Sequence, residues 1–379
     1  KDHKLDSIPL ELVKCDEDNG GCGLLQLKHT PNLLNMYGET YGYRSGLNKS
    51  MADHLRNKVE KILSKIKLDK NDLVVDIGSN DGTMLGFYPE NVKRVGIDPT
   101  GSKFKKYYKN GIELIPKFFS SKLVNGKAKI VTSIAMFYDL EKPLSFMKEI
   151  FDILDNNGIW VFEQSYMPKM IEVNAYDTIC QEHLEYYRLK QIKWMCDKTG
   201  FKIIDVEFND INGGSFSVMA AKKNSKFNEF KDVEKILKEE KNKGLSGLKP
   251  YQEFRKKVFK HREDLLKMIK EINKNGSKIY GYGASTKGNV ILQFCKLSEK
   301  DIPAIGEVNE DKFGAFTPGT RIPIVSEDEV KEKAEYMMVL PWHFKKFIVE
   351  KEKEFLDKGG KLLFPLPEPH IVKGKDFKA

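Results

Sequence analysis

Thiols, imidazoles and long apolar runs are all scarce in this 379-residue chain, and each scarcity closes off a class of explanation. The five cysteines, Cys15, Cys22, Cys180, Cys196 and Cys295, are odd in number and scattered. That argues against a disulfide framework and for a reducing compartment. No apolar stretch approaches the ~20 residues that cross a bilayer. Lys1-Asp2-His3-Lys4 has none of the apolar character of a secretion signal. A cytoplasmic location without membrane contact is the expectation. The formal charge is +9, yet lysines alternate with acids, as in Glu239-Glu240-Lys241-Asn242-Lys243, in the manner of solvated helix faces. No basic stripe interleaved with aromatics occurs, which speaks against a nucleic-acid partner. The modest positive excess suits an anionic small molecule. Nothing in the composition fixes an oligomeric state, and a monomer is compatible with it.

What is present is an α/β pattern with a small preface. Residues 1–48 read as an irregular N-terminal lobe, with short strands around Leu10–Val13 and Leu24–Lys28. A loop follows, Tyr37-Gly38-Glu39-Thr40-Tyr41-Gly42-Tyr43-Arg44-Ser45-Gly46, too rich in glycine to be a packed element. Cys15 and Cys22 flank a turn-rich segment; two thiolates are half of a tetrahedral zinc set, and no second Cys or His pair stands nearby. From Met51 to Lys67, Leu55, Val59, Ile62, Leu63 and Ile66 recur at helical spacing. Strands are expected at Leu73–Ile77, Arg94–Ile97, Ile130–Ile134 and Gly158–Glu163 with helices between them, which implies a parallel, doubly wound sheet. Phe201–Phe208 and Ser215–Ala221 read as a closing hairpin. Residues 49–223 would then be one domain and the Lys/Glu-rich 224–275 a helical linker. Residues 276–379 would form a second α/β domain, with strands at Lys278–Tyr282, Ala304–Glu307, Tyr336–Val339 and Lys361–Pro365.

The first domain carries the clearest chemistry. Val74-Val75-Asp76-Ile77-Gly78-Ser79-Asn80-Asp81-Gly82 is a strand running into a turn, and Gly96-Ile97-Asp98 ends the next strand. Ligands of doubly wound sheets sit at the carboxyl ends of such strands. Gly78 and Gly82 let the backbone turn sharply and approach a ligand closely. A helix after Gly82 would aim its free N–H groups at that ligand. Asp98 is placed to accept hydrogen bonds from ribose hydroxyls. The loop is not Gly-x-Gly-x-x-Gly, and Asp81 would repel a pyrophosphate while suiting an ammonium. These features favour S-adenosylmethionine over NAD, and a methyltransferase with Asp76, Gly78, Ser79, Asn80, Asp81, Gly82 and Asp98 around the cofactor.

After the strand end Glu163-Gln164-Ser165-Tyr166 comes Asp177-Thr178-Ile179-Cys180-Gln181-Glu182-His183-Leu184-Glu185-Tyr186-Tyr187, expected over the carboxyl edge of the sheet. A histidine beside a carboxylate suits proton abstraction near neutral pH. Such a base is needed when carbon is the methyl acceptor, because a carbon beside a ketone becomes nucleophilic only as the enolate.

Val74–Gly82, Glu182–Tyr187, Asn212-Gly213-Gly214-Ser215 and Gly281-Tyr282-Gly283-Ala284-Ser285-Thr286-Lys287-Gly288-Asn289 together resemble the nucleotide-sugar C-methyltransferases of deoxysugar biosynthesis. The resemblance covers nearly the whole chain. It implies a class I, Rossmann-like methyltransferase core, a second C-terminal Rossmann-like domain and an N-terminal zinc-binding lobe. It also implies methylation of C-3 of a 4-keto-deoxysugar on a nucleoside diphosphate, through an enolate. On that resemblance His183 is the base, Glu182 its acidic neighbour, and Tyr41 or Tyr43 the tyrosine lent by the N-terminal loop. Asn212 and Gly214 fall among the substrate contacts. Trp342-His343, just past a strand end, either lines the same interdomain cleft, with His343 as a further substrate contact, or is plain packing. Two departures stand out. Where the family often reads Tyr-His before Glu-His, this chain has Cys180 and Gln181, which leaves Tyr176 or Tyr186 to supply a tyrosine. The family's lobe has two cysteine pairs, against Cys15 and Cys22 alone.

The C-terminal glycine string fits neither the dinucleotide fingerprint, since Thr286 stands at its third glycine, nor the P-loop, since Asn289 follows Gly288. A helix start with Ser285, Thr286 and Lys287 could hold the diphosphate of a sugar nucleotide. The rival readings are an O- or N-methyltransferase acting on another metabolite, and a sugar-nucleotide binder without catalysis.

Overall fold

The computed structural model describes residues 8–30, 36–37 and 41–377. Gly38–Thr40 of the glycine-rich loop lie outside the described residues. The strands are β1 (Leu12–Lys14), β2 (Leu25–Leu27), β3 (Leu73–Ile77), β4 (Lys93–Ile97), β5 (Ile112–Ile115), β6 (Ala128–Ile134), β7 (Leu154–Ser165) and β8 (Glu185–Tyr186). They continue with β9 (Phe201–Asn209), β10 (Ser215–Lys222), β11 (Ile279–Tyr282), β12 (Ile305–Glu307), β13 (Ile324–Ser326), β14 (Tyr336–Val339), β15 (Lys361–Phe364) and β16 (His370–Lys373).

The central sheet has the order β5-β4-β3-β6-β7-β10-β9. Its first five strands are parallel, and the β9–β10 hairpin closes it antiparallel. β3 is Leu-Val-Val-Asp-Ile, buried at every position, as a parallel strand covered on both faces requires. The helix Lys49–Lys65 covers one face by burying Met51, Leu55, Val59 and Ile62, and Asn48 caps it by accepting from the Ser50 N–H. Trp160 anchors the other face. It stacks on Phe162 at 4.2 Å, meets the edges or tilted faces of Phe137 and Phe201, and donates its indole N–H to Ser133.

A second sheet, β13-β12-β11-β14-β15-β16, repeats the parallel winding with one antiparallel edge. The molecule is therefore two Rossmann-like α/β units plus a small N-terminal sheet. That third sheet is completed from far away in the chain: β8, two residues beyond His183, pairs with β2, and Leu27 N–H donates to the Leu184 carbonyl. The helix Lys249–Lys274, expected within a linker, buries Phe254, Leu265, Ile269 and Ile272 in the core of the second unit. Leu25, Leu27, Met167, Tyr176, Leu184 and Tyr186 belong to that same core. The segment around His183 is thus packed by the lobe and the second unit as well as by its own sheet.

One expectation needs correction. No α-helix follows Gly82; the chain makes only a short 3₁₀ turn at Leu85–Phe87 before β4. Gly86 and Pro89 leave too few good helix formers in this short crossing. The turn is instead shaped by left-handed residues at Gly78 (φ 74), Asn80 (φ 51) and Gly82 (φ 74). A Cβ on Gly78 would press against the Met136 side chain at 3.2 Å, and one on Gly82 against Tyr108 at 2.9 Å. Strands β5, β8, β13 and β16, short and weakly patterned, go beyond the sequence reading.

Trp160→Ala should destabilise the protein by ~3–5 kcal/mol, the usual cost of deleting a buried aromatic. Urea denaturation followed by circular dichroism would read it, and a loss below about 1 kcal/mol would mean that this face is not packed as described.

Candidate active site

The carboxyl ends of β3, β4, β6 and β7 face the Gly283–Lys287 loop of the second unit across one cavity of about 1100 Å³. On the first unit's side, Asp76, Gly78, Ser79, Asn80, Asp98 and Thr100 line it. Asp76 accepts from the Thr132 hydroxyl at 2.5 Å, and burial pushes its carboxyl up to about 7. Asp98 ties the two strand ends together: Oδ2 accepts the Asn80 N–H at 2.8 Å and Oδ1 accepts both the N–H and the hydroxyl of Thr100. Ser79 shares a hydrogen bond with Tyr108 at 2.8 Å. The Asn80 side chain accepts from Ser45 N–H and donates to the Tyr43 carbonyl, so the described part of the tyrosine loop is fastened directly to the glycine turn.

Asp81 and Gly82 do not line the cavity. The Asp81 carboxylate accepts from Gly46 N–H, from Arg44 Nε at 3.3 Å, and from the N–H and hydroxyl of Thr83. It therefore caps the loop and does not face a ligand. Tyr41 and Tyr43 both line the cavity, joined by Tyr37, whose hydroxyl donates to Asp139 at 2.7 Å.

The acid–base segment lies where the two units meet. His183 is buried, and its Nδ1 lies 2.7 Å from the Thr178 carbonyl. A carbonyl can only accept, so Nδ1 carries the proton and Nε2 keeps its lone pair. Burial, then the nearby Lys287 ammonium, holds the imidazole far below its usual range, at about 3, so it is neutral. The ring packs 4.2 Å from that of Tyr138. Glu182 lines the cavity with its carboxyl raised by burial, and no hydrogen bond joins it to His183; the Thr178 carbonyl orients the imidazole.

From the second unit, Ser285 caps the helix Thr286–Phe294 by accepting the Gly288 N–H at 3.0 Å. Lys287 reaches into the first unit and donates to the Asn212 carbonyl at 2.6 Å and the Thr178 hydroxyl at 3.3 Å. Trp342 donates its indole N–H to Asp177 at 2.7 Å. His343 lines the cavity with Nδ1 buried and unpartnered, held neutral by burial and by Lys287. Asn212 lines the cavity in a left-handed turn (φ 56). Gly214 lies behind it, where a Cβ would collide with Lys169.

Sequence reading passed over two residues that the cavity singles out. Gln164 is 2% exposed, lines the cavity and has neither amide atom paired. Asp139 Oδ1 is likewise buried and unpartnered, and burial together with Glu182 and Glu185 raises that carboxyl well above its usual range. Gln164 was legible only as part of a strand end, since nothing in its type or spacing sets it apart. Buried polar groups of this kind need a partner, whether water, an ion or a ligand.

The cysteine pair stands apart from this site. Among the described residues Cys15 and Cys22 have no third metal-binding side chain grouped with them; the one such group is Cys180, Glu182 and His183, with ligand atoms within 4.8 Å of one another. Nearby Glu17 is taken up by Arg188, Lys190 and Lys14.

Residues 47–206 match a family described as a methyltransferase domain, and residues 210–367 one described as a C-methyltransferase C-terminal domain. Over 376 residues the chain is 28% identical to the C-methyltransferase NovU of Streptomyces niveus, an alignment covering 97% of this chain and 88% of that protein. Solved structures that overlay on part of the chain include the magnesium protoporphyrin IX methyltransferase of Synechocystis, 13% identical, with a TM-score of 0.37 over 50% of this chain and 93% of that one. Another is an S-adenosylmethionine-dependent methyltransferase of Clostridium acetobutylicum, 11% identical, TM-score 0.36, covering 45% and 91%. No described helix is long and apolar enough to cross a membrane. The two family matches, with a relative aligned along nearly the whole chain, make this protein an S-adenosylmethionine-dependent methyltransferase related to the C-methyltransferases.

Proposed function

We propose that the protein methylates a ring carbon beside the ketone of a 4-keto-deoxysugar carried on a nucleoside diphosphate, through an enolate formed by His183. One observation carries this reading. His183 lines the cavity that both units form, and its neutral imidazole, with the Nδ1 proton committed to the Thr178 carbonyl, keeps a lone pair at Nε2. An O- or N-methyltransferase could use such a base too, but the match of the second half to a C-methyltransferase domain favours carbon.

S-adenosylmethionine, when bound, supplies an electrophilic methyl group on a sulfonium. Asp98 would hold its ribose, since one carboxylate lone-pair direction is still open, and the Gly78 turn gives its backbone room. The Gln164 amide and Asp139 Oδ1, buried and without a partner, are candidates for its polar groups. The sugar nucleotide would lie between the units. Thr286 and the free N–H groups that start its helix suit the diphosphate, with Ser285 holding the helix start in shape. Fixing the nucleotide positions the reacting ring. Nε2 of His183 then takes the proton from the carbon beside the ketone, and the C–H electron pair moves through carbon to the ketone oxygen. Tyr41 or Tyr43 donates to that oxygen; burial keeps the Tyr41 phenol protonated, its value held well above the usual range. Glu182, free of His183, would accept from a sugar hydroxyl.

His183→Ala should abolish methyl transfer while keeping cofactor affinity within about threefold, and should stop exchange of the ring proton with deuterated water; positioned proton transfer is worth ~10²–10⁴-fold. Wild-type protein that methylates without exchanging any carbon-bound proton would defeat the carbon-acceptor reading.

Asp98→Ala should weaken S-adenosylmethionine binding about tenfold or more by titration calorimetry, since hydrogen bonds to charged groups contribute ~1.5–3 kcal/mol. Unchanged affinity would remove Asp98 from the site.

The His183 imidazole should stay neutral in the folded protein from pH 8 to pH 5. The unfolded chain takes up this proton near 6.5 and the folded chain only near 3, so acidification between those values costs stability. Imidazole carbon–proton correlations recorded through that range would show it, and a titration centred near 6.5 would contradict the buried environment.

A further inference from the structure

We propose that Lys287, delivered from the second unit, is a catalytic residue that binds the ketone oxygen of the substrate and takes up the negative charge as the enolate forms. This rests on the reading above and deepens it, because the glycine string that contains Lys287 had suggested a diphosphate ligand.

The geometry turns this lysine away from a purely phosphate role. Its ammonium crosses the boundary between units and donates to the Asn212 carbonyl and the Thr178 hydroxyl, both on the first unit. Thr178 also presents the carbonyl that fixes His183. One residue thus holds the base through its backbone and the cation through its side chain. In an α-ketone the acidic C–H and the carbonyl oxygen are separated by a single carbon–carbon bond, so a base for the one and a donor for the other must be near neighbours.

The ammonium has three N–H groups and two are engaged. Among the described residues it has no carboxylate within ion-pair distance, whereas the other cavity-lining lysines of this unit are paired, Lys312 with Glu307 and Lys351 with Glu327. An unpaired cation in a sheltered site is a preorganised place for developing negative charge.

The arrangement also resolves an apparent conflict. Burial is the larger cause of the weakened imidazole, and the Lys287 cation beside His183 weakens it further, which alone would slow proton removal. If the same cation lies on the ketone oxygen, it makes the carbon acid stronger as well. The two effects move the donor and acceptor pKa in the same direction, so what the cation takes from the base is offset at the carbon acid.

The test compares Lys287→Met and Lys287→Arg with wild type, using thymidine and uridine diphosphates as binding probes. The readouts are solvent deuterium exchange into a turned-over 4-keto sugar nucleotide, diphosphate affinity, and the titration of His183. Lys287→Met should lose at least a hundredfold in exchange and methylation at saturating substrate, with nucleoside diphosphate affinity changed less than threefold. Its His183 should titrate nearer the ordinary histidine range. Lys287→Arg, which keeps the charge and can bridge the same seam, should recover part of the loss and serves as the folding control.

A Lys287→Met protein that exchanges and methylates at the wild-type rate once saturated, but binds the diphosphates tenfold or more weakly, would make the lysine a phosphate ligand and overturn the proposal. If wild type exchanges and His183→Ala does not, that result fails Lys287 alone. If wild type exchanges no carbon-bound proton, the enolate reading itself falls.

Discussion

The Thr178 carbonyl accepts the Nδ1 proton of His183, and that hydrogen bond decides which ring nitrogen can act. Without it the imidazole could present either tautomer, and the Nε2–H form would offer a proton where a lone pair is needed. The carbonyl is only as well placed as the turn that bears it. That turn, Tyr176-Asp177-Thr178, is gripped by the second unit at each residue: Tyr176 packs against His261 and Phe294, Asp177 accepts from Trp342, and Thr178 accepts from Lys287. From the other side β8 binds the chain beyond His183 to the N-terminal lobe. A residue of the methyltransferase unit is therefore oriented by parts of the molecule outside its own sheet.

Charge is distributed in the cavity by the same logic. Glu163 at the end of β7 is ionised and neutralised internally, with Lys58 at 2.6 Å and His54 at 2.6 Å holding its carboxyl down at about 2. Asp139 and Glu182 have no such cation among the described residues, and burial raises both. Among the described residues Lys287 makes no ion pair; burial pulls its ammonium down, and the Asp177 carboxylate acts on it only from beyond ion-pair distance. Buried groups left in this state cost free energy unless a ligand completes them. A sulfonium donor brings positive charge, and a ketone becoming an enolate brings negative charge. The carboxyls lie on the unit that would hold the first, and the ammonium comes from the unit that would hold the second. The unpaired groups are those expected of a site built for an oppositely charged pair of reactants.

How far the sequence carried the reading follows from the range of each interaction. β3, its glycine turn and Asp98 lie within about one βαβ unit, where period and spacing are informative. The β9–β10 hairpin is local in the same way. The helix expected after Gly82 failed because Gly86 and Pro89 outweighed the general βαβ expectation. Asp81 was misassigned for a longer-range reason: its partners Arg44 and Gly46 come from the loop before the domain, and spacing cannot reveal such a pairing. The same holds for β8 on β2, for Trp342 on Asp177 and for Lys287 on Asn212, all made between distant parts of the chain. Gln164 could not be noticed at all, because its distinction is the lack of any partner.

The two α/β units share a winding but not a ligand role, and their second-strand acids show why. Asp98 accepts from Asn80 N–H and from the N–H and hydroxyl of Thr100, which leaves one of about four lone-pair directions of a carboxylate open to a ribose hydroxyl. Glu307, at the matching strand end of the second unit, accepts from Ala284, Val308 and Asn309 N–H groups and from the Lys312 ammonium. Its lone pairs are spent on shaping its own loops, and Lys312 neutralises it. A second nucleoside could not be held there in the same manner. Once that acid has become structural, the loop beside it is free to point its lysine across the boundary, to the Asn212 carbonyl and the Thr178 hydroxyl of the first unit.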